Sequence, residues 1–381
     1  MKYMGSKRAM LANGLGELLV AESAISSRFV DLFAGTGSVA IHVAKNTRVE
    51  VLAIDLQSYS QVLTNAVVSR VTEFAWQRTW INWRKRAESY VGKIVVSPTT
   101  RGLTRGDVAR ARKWCAQQSH VPITLAYGGH YFSPSQSIWI DALRVTLPKR
   151  EPAKTVALAA LIQAASKVAA APGHTAQPFQ PTPTALPFIE CAWMKDVCEQ
   201  VAKSLAQLAM VHAKVVGQAK VGDANSAAQN LRRGDLVFID PPYSGVHYSR
   251  FYHVLESIAD GHCGTVNGAG RYPPTERRPW SRYSVISESQ NALEDLLRII
   301  SDRGATAIVT FPNHECSNGL SGKLIRNVAK KYFSVTSKTV KSRFSTLGGG
   351  RGDAVGVTRK ARQSAEELIL IMRPKGASPG Q

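Results

Sequence analysis

Apolar residues fall in short runs separated by polar turns near both ends of this 381-residue chain, and that rhythm is lost in the middle. Residues 28–34 (RFVDLFA) are a short apolar run that predicts a buried strand, and the GTGSVA that follows opens a helix reaching about Lys45. Residues 49–55 (VEVLAID) predict a second strand, and 56–74 carry apolar residues at helical spacing. Strand, helix, strand and helix in that order build a parallel sheet. The pattern resumes at 236–240 (LVFID) and continues through predicted helices near 249–259 and 287–303 to a strand at 306–311. Two final strands are predicted at 333–341 and 367–372. The expected fold class is α/β, a Rossmann-like domain with a mixed, mostly parallel sheet, assembled discontinuously from residues 1–74 and 216–381.

Residues 75–215 do not follow the alternation and hold six of the seven tryptophans. Helical spacing is clearest at 75–91 and 194–216, so a largely helical inserted domain is expected there. Inside it an Ala-rich stretch, 156–171, runs into Pro172 and Gly173 and then into Pro178, Pro181, Pro183 and Pro187. That composition predicts a mobile linker or surface arm. Residues 261–280 and the glycine-rich 348–352 are the other segments expected to move.

Charge changes the picture most. The chain carries 48 Lys and Arg against 27 Asp and Glu, a formal net charge of +21, which suits an acidic polymer as partner. Residues 75–215 hold 18 basic against 7 acidic side chains and 246–381 hold 20 against 11, while 1–74 and 216–245 are near neutral. Two basic segments therefore flank the strand-rich pieces, as phosphate neutralisation would require. The five cysteines form no C-x-x-C pair, and the histidines show no metal-ligand spacing, so neither a disulfide framework nor a metal is expected. The opening MKYMGSKRAM lacks the apolar core of a signal peptide, and no run of 18 apolar residues occurs. A cytoplasmic protein without membrane contact is expected.

The candidate chemistry sits in the near-neutral pieces. Asp31-Leu-Phe33-Ala-Gly35-Thr-Gly37 places a glycine-rich turn between strand and helix, where backbone can approach a nucleotide closely. Asp55 ends the next strand, placed to accept hydrogen bonds from ribose hydroxyls. Taken alone these residues suit a dinucleotide as well as a methyl donor. Asp240-Pro241-Pro242-Tyr243 directly follows LVFID and supplies a carboxylate, a rigid carbonyl and an aromatic face at the edge of the sheet where such folds bind ligands. That set suits an amino group on a planar ring. The exocyclic nitrogen of adenine is a poor nucleophile because its lone pair is delocalised. Two acceptors, the Asp240 carboxylate and the Pro241 carbonyl, would draw it toward tetrahedral geometry while Tyr243 stacks on the base.

The order KYMGSK, DLFAGTGSVA, Asp55, Gly222-Asp223-Ala224 and DPPY resembles the adenine-specific DNA methyltransferases that insert their specificity region before the catalytic motif. The resemblance implies a Rossmann-like methyltransferase with S-adenosylmethionine as cofactor. It implies that Tyr3, Gly5 and Lys7 lie near the methionine end and that Asp223 binds the cofactor adenine. Asp31, Phe33, Gly35 and Gly37 would line the cofactor turn, Asp55 would take the ribose, and Asp240, Pro241, Pro242 and Tyr243 would hold the target base. It further implies double-stranded DNA as partner, a bacterial or phage-infected cell as setting, and a cognate restriction nuclease encoded elsewhere. Residues 75–215 become the target-recognition domain, with segment 127–133 (YGGHYFS) among the candidate base readers. The aromatic run Tyr248, Phe251, Tyr252 and His253 suits base stacking and core packing equally. The same catalytic geometry would serve cytosine N4, RNA or a protein amide, but DPPY in this motif order favours adenine. A dehydrogenase would explain the glycine turn and neither DPPY nor the charge. A non-catalytic DNA-binding protein would not need the full motif set.

Overall fold

The computed structural model describes residues 7–92, 94, 101–345 and 362–375, with side chains left out of the description at 340–345 and 362–366. Seven strands form one sheet in the order β3-β2-β1-β4-β5-β7-β6. They are β1 (Arg28–Asp31), β2 (Glu50–Asp55), β3 (Gln218–Val221), β4 (Asp235–Ile239), β5 (Thr306–Pro312), β6 (Phe333–Ser345) and β7 (Arg362–Pro374). β1 to β5 pair in parallel, and β7 runs antiparallel to both β5 and β6. The mixed, mostly parallel α/β sheet expected from the sequence is present. β3 escapes the sequence pattern because QAKV is an edge strand with only Ala219 turned inward.

Successive side chains of a strand face opposite sides of the sheet, and the two cores divide accordingly. Phe29, Leu236, Phe238 and Ile308 pack with Leu19, Val39 and Val43 on one side. Val30, Val237, Ile239 and Val309 pack with Leu293, Leu296, Leu297, Ile325 and Val328 on the other. The helices Gly16–Ala24 and Ser38–Asn46 therefore cover one face, while Ile286–Asp302 and Gly322–Tyr332 cover the second. β1 lies between β2 and β4, so the chain reverses its winding beside it. At such a switch point a crevice opens beyond the carboxyl ends of the strands. Those ends are Asp31 and Asp240.

Residues 75–215 contain seven helices and no strand among the described residues. The Ala-rich helix Ala153–Val168 is buried along almost its whole length, since alanine lets neighbouring helices approach closely. It packs in one core with Trp80, Trp83, Val201 and Leu205 of the same region, and with Leu63 and Val67 of helix Ser58–Val68 and Leu255 and Ile258 of helix Ser249–Asp260. The helical region is thus welded to the sheet domain through a shared hydrophobic core. Within the sheet domain, the Glu256 carboxylate accepts from the backbone N–H groups of Ser58 (2.7 Å) and Tyr59 (3.0 Å) at the start of helix Ser58–Val68, joining its two sequence segments.

Three expectations are corrected here. The Pro-rich segment is tied down: the Thr175 N–H donates to Phe251 O at 2.7 Å and the Phe179 N–H to Ala170 O at 2.9 Å, while Pro187 lies in helix Leu186–Trp193. The segment is thus pinned at these points rather than a free linker, while Thr182, Pro183, Thr184, Pro187 and Phe188 are exposed, as expected of a surface arm. Residues 261–280 are likewise ordered around a bridge between Asn267 and Tyr272; residues 348–352 lie outside the described residues. The 127–133 segment cannot read bases, because Tyr127, Tyr131, Phe132 and Ser133 are buried. The Tyr127 hydroxyl pairs with Ser257 Oγ at 2.8 Å and the Tyr131 hydroxyl lies 2.7 Å from Thr175 O. A Cβ at Gly128 would sit 2.6 Å from Cys115 Sγ, so that turn is a close helix contact. The aromatic run also divides: Phe251, Tyr252 and His253 are core residues, and only Tyr248 reaches the crevice. No helix among the described residues is long and apolar enough to cross a membrane.

Candidate active site

The crevice at the switch point is an open cleft of about 970 Å³, counting the part in contact with solvent. Its walls bring together residues far apart in the sequence, among them the expected site residues from five places. Lys7 comes from the N-terminal segment, Asp31, Phe33 and Gly35 from the turn after β1, and Asp55 from the end of β2. Asp223 follows β3, and Asp240, Pro241, Pro242 and Tyr243 follow β4. Tyr3 lies outside the described residues. Gly37 stands behind the wall in the left-handed region (φ +74), where a Cβ would collide with the Thr64 hydroxyl. A side chain there would push the turn into the space a ligand needs.

Backbone hydrogen bonds shape the acidic residues. Asp55 accepts from the Gly35 N–H at 2.7 Å through Oδ2 and from the Gln57 N–H at 3.0 Å through Oδ1, which closes the glycine turn onto β2. Asp31 accepts from the Phe33 N–H at 3.2 Å. Asp223 caps the short helix Ala224–Ala228 by accepting from the Ser226 N–H at 2.9 Å. Burial pushes the Asp31 carboxyl up to about 8 and the Asp55 carboxyl up to about 6, against the backbone N–H groups that favour ionisation. Among the described residues, four acidic side chains line the cleft against a single full cation, Lys7, and a cationic ligand would draw the raised Asp31 carboxyl into its ionised form. In a chain with a net charge of +21 this is a locally acidic spot that favours a cationic ligand.

Asp240 is held on one side only. Lys7 Nζ lies 3.0 Å from its Oδ1, and the Thr310 hydroxyl donates to the same oxygen at 3.0 Å. Oδ2 makes no hydrogen bond among the described residues and is left as the acceptor facing the cleft. Lys7 is shared, since its Nζ also lies 2.9 Å from Glu367 Oε2. Burial opposes the Lys7 charge, but the two carboxylates outweigh it and hold the ammonium above the usual lysine range. Burial raises Asp240 above the ordinary carboxylate range, Lys7 restrains the rise, and Glu367 adds to it. The DPPY turn is set by Asn318, whose Nδ2 donates to Pro242 O at 2.7 Å and to Tyr283 O at 2.9 Å. Tyr243 meets Tyr248 edge-on at 6.3 Å, and Phe33 meets Tyr283 edge-on at 5.0 Å, so two aromatic pairs wall the cleft.

Thr310, Asn318, Glu367 and Tyr283 were not identified from the sequence. Thr310 and Glu367 lie within strands that read only as apolar core, and nothing local marks them as partners of Asp240 and Lys7. Asn318 stands before Gly319, a turn signal without a hint of what its amide would hold.

The family model for D12 class N6 adenine-specific DNA methyltransferases matches residues 3–93 and 195–304, more than half of the chain. The chain is 27% identical over 271 residues to the Type II methyltransferase M.NlaIII of Neisseria lactamica, covering 68% of this chain and 69% of that protein. It is 24% identical over 324 residues to the modification methylase LlaI of Lactococcus lactis subsp. lactis, covering 79% of this chain and 44% of that protein.

Proposed function

Because the chain belongs to the D12 class of N6 adenine-specific DNA methyltransferases, we propose that the cleft beyond β1 and β4 holds both cofactor and a flipped target adenine, with Asp240 at the point of transfer. The observation that supports this most is the one-sided anchoring of Asp240, with Oδ1 tied to Lys7 and Thr310 and Oδ2 making no hydrogen bond among the described residues. A carboxylate so fixed presents one acceptor in one direction. The N6 amino group would donate to Oδ2 and to the Pro241 carbonyl, moving its lone pair out of the ring. Tyr243 would stack on the base. The nitrogen must approach in line with the leaving sulfur, which a base inside the duplex cannot do, so the adenine leaves the stack. Asp240 then stabilises positive charge developing on N6 and stands ready for the proton released after transfer. No general base is needed before the bond forms, because the N6 proton becomes acidic only on methylation.

The acidic cleft fits S-adenosylmethionine, which supplies, when bound, a methyl group activated by its sulfonium. Asp31, a buried carboxylate with no ion pair among the described residues, suits a cationic end of that molecule. Asp55 keeps lone pairs beyond those used by Gly35 and Gln57 and suits ribose hydroxyls, while Asp223 and the edge of Phe33 suit the adenine. Asp55→Ala and Asp223→Ala are each expected to weaken S-adenosylmethionine binding by roughly 1.5–3 kcal/mol, the worth of a hydrogen bond to a charged acceptor. Isothermal calorimetry with the DNA-free enzyme reads this directly, and unchanged affinity in both variants rejects the placement.

Residues 75–215 are assigned as the main reader of DNA sequence, on their surplus of 11 positive charges and their position between the two halves of the catalytic domain. Phosphate contacts made by exposed basic side chains would hold the duplex, and polar side chains on the helices would distinguish bases. Exchanging this region for that of a relative of different specificity should move the methylated sequence to that of the donor, as mapped by modification-sensitive genome sequencing. Retention of the original sequence would transfer the reading role to the basic segments after Tyr243. The type II and modification-methylase names of the relatives support a cytoplasmic restriction-modification role, with a nuclease of the same target sequence as partner.

A further inference from the structure

Trp280 is the only exposed tryptophan, with 54% of its surface accessible. Its chain neighbours Pro279 and Ser281 line the cleft, and its ring lies 6.3 Å from that of His247, which lines it too. We propose that Trp280 is the wedge that enters the duplex and stacks in the gap left by the target adenine. This rests on the reading that the adenine leaves the stack.

A wedge must be planar, apolar, exposed beside the cleft and rigidly mounted, because a mobile ring would lose in entropy what it gains by stacking. Trp280 is planar, largely apolar and exposed between two cleft-lining residues, and the backbone on both sides of it is held. Pro279 fixes the backbone ahead of it. Behind it, the Ser281 N–H donates to His247 Nδ1 at 3.4 Å, and the Ser281 hydroxyl accepts from the Tyr283 N–H at 3.3 Å. Tyr283 is buried against Phe33 in the cleft wall, so the tryptophan is mounted on the same support that shapes the site. Arg278 precedes Trp280 by two residues and shares an aromatic partner, Tyr272, with Arg250. The Arg250 guanidinium lies 4.7 Å and that of Arg278 5.8 Å from the centre of the Tyr272 ring, and neither arginine makes an ion pair among the described residues. Arg278 Nε is buried without a hydrogen-bond partner. Arginines without an ion pair in this part of the fold can take up phosphate charge when a side chain enters a duplex.

The test uses a duplex carrying the mapped recognition sequence, with the target adenine either paired to thymine or opposite an abasic site. Trp280→Ala is expected to slow methylation of the paired target about 10- to 100-fold and to leave the abasic-opposed target within about threefold of wild type, since a base already loosened needs little help in leaving. Trp280→Phe should retain most of the wild-type rate. With 2-aminopurine at the target position, wild type should raise the fluorescence and Trp280→Ala should not. Equal loss on both duplexes, or no loss on the paired one, overturns the wedge. A wild-type enzyme that gives no fluorescence rise overturns base flipping itself and the wedge with it, whereas an equal rise in both proteins overturns the wedge alone. Self-association that Trp280→Ala abolishes while both duplexes are methylated normally would assign the ring to a contact between protein copies and likewise overturn it.

Discussion

Asp240→Ala is expected to lower methyl transfer by on the order of 100- to 1000-fold, the usual cost of removing a preorganised group that meets charge as it develops. S-adenosylmethionine affinity should change little, because Asp240 faces the reacting nitrogen while Asp31, Asp55 and Asp223 face the cofactor. The structure adds a reason for the size of the effect. Lys7 and Thr310 have already spent their hydrogen bonds on Oδ1, so the free Oδ2 has no understudy among the described residues. Single-turnover transfer of a labelled methyl group to DNA measures this. Activity within about threefold of wild type would remove Asp240 from the centre of the reaction, since the least important oxyanion-type donors cost far more.

Lys7 and Glu367 should move the acid limb of the pH–rate profile in opposite directions. Asp240 acts as a carboxylate, so activity falls as pH drops through its pKa. Lys7 lowers that pKa and Glu367 raises it. Lys7→Met removes the restraining cation, leaves two partly buried carboxylates without the ammonium they share, and should shift the limb upward by about one to three pH units. The rate at pH 7 then falls by about ten- to a hundredfold and recovers in part at higher pH. Glu367→Gln leaves Lys7 wholly to Asp240 and should shift the limb downward, with full activity at neutral pH. Because Lys7 is buried, the glutamine variant guards against a folding defect in the methionine one. Limbs that move together, or not at all, would contradict the assignment of Asp240 as the titrating group.

What the sequence disclosed divides along a physical line. β1, β2 and β4 were legible because each is an apolar run closed by a functional residue, so one pattern marks both the strand and the site. The DPPY turn was legible because its four groups are contiguous. Thr310, 70 residues from Asp240, and Glu367, on β7, were not, because their roles exist only once β5 lies beside β4 and β7 beside β5. In the helical region, composition misled twice. Proline density at 178–187 suggested mobility, yet backbone hydrogen bonds to Ala170 and Phe251 anchor that strap. The aromatic and polar residues at 127–133 suggested recognition, yet they are consumed in the core against Ser257 and Thr175. Burial is decided by the whole chain, and no local window of sequence contains it.

The central claim is that this cleft transfers a methyl group to adenine N6 through Asp240. Its most direct test is nucleoside mass spectrometry of DNA incubated with S-adenosylmethionine labelled in the methyl group. The prediction is label in N6-methyldeoxyadenosine with the wild-type protein and its near-absence with Asp240→Ala. Label in N4-methyldeoxycytidine, or undiminished N6 label with the variant, would contradict it.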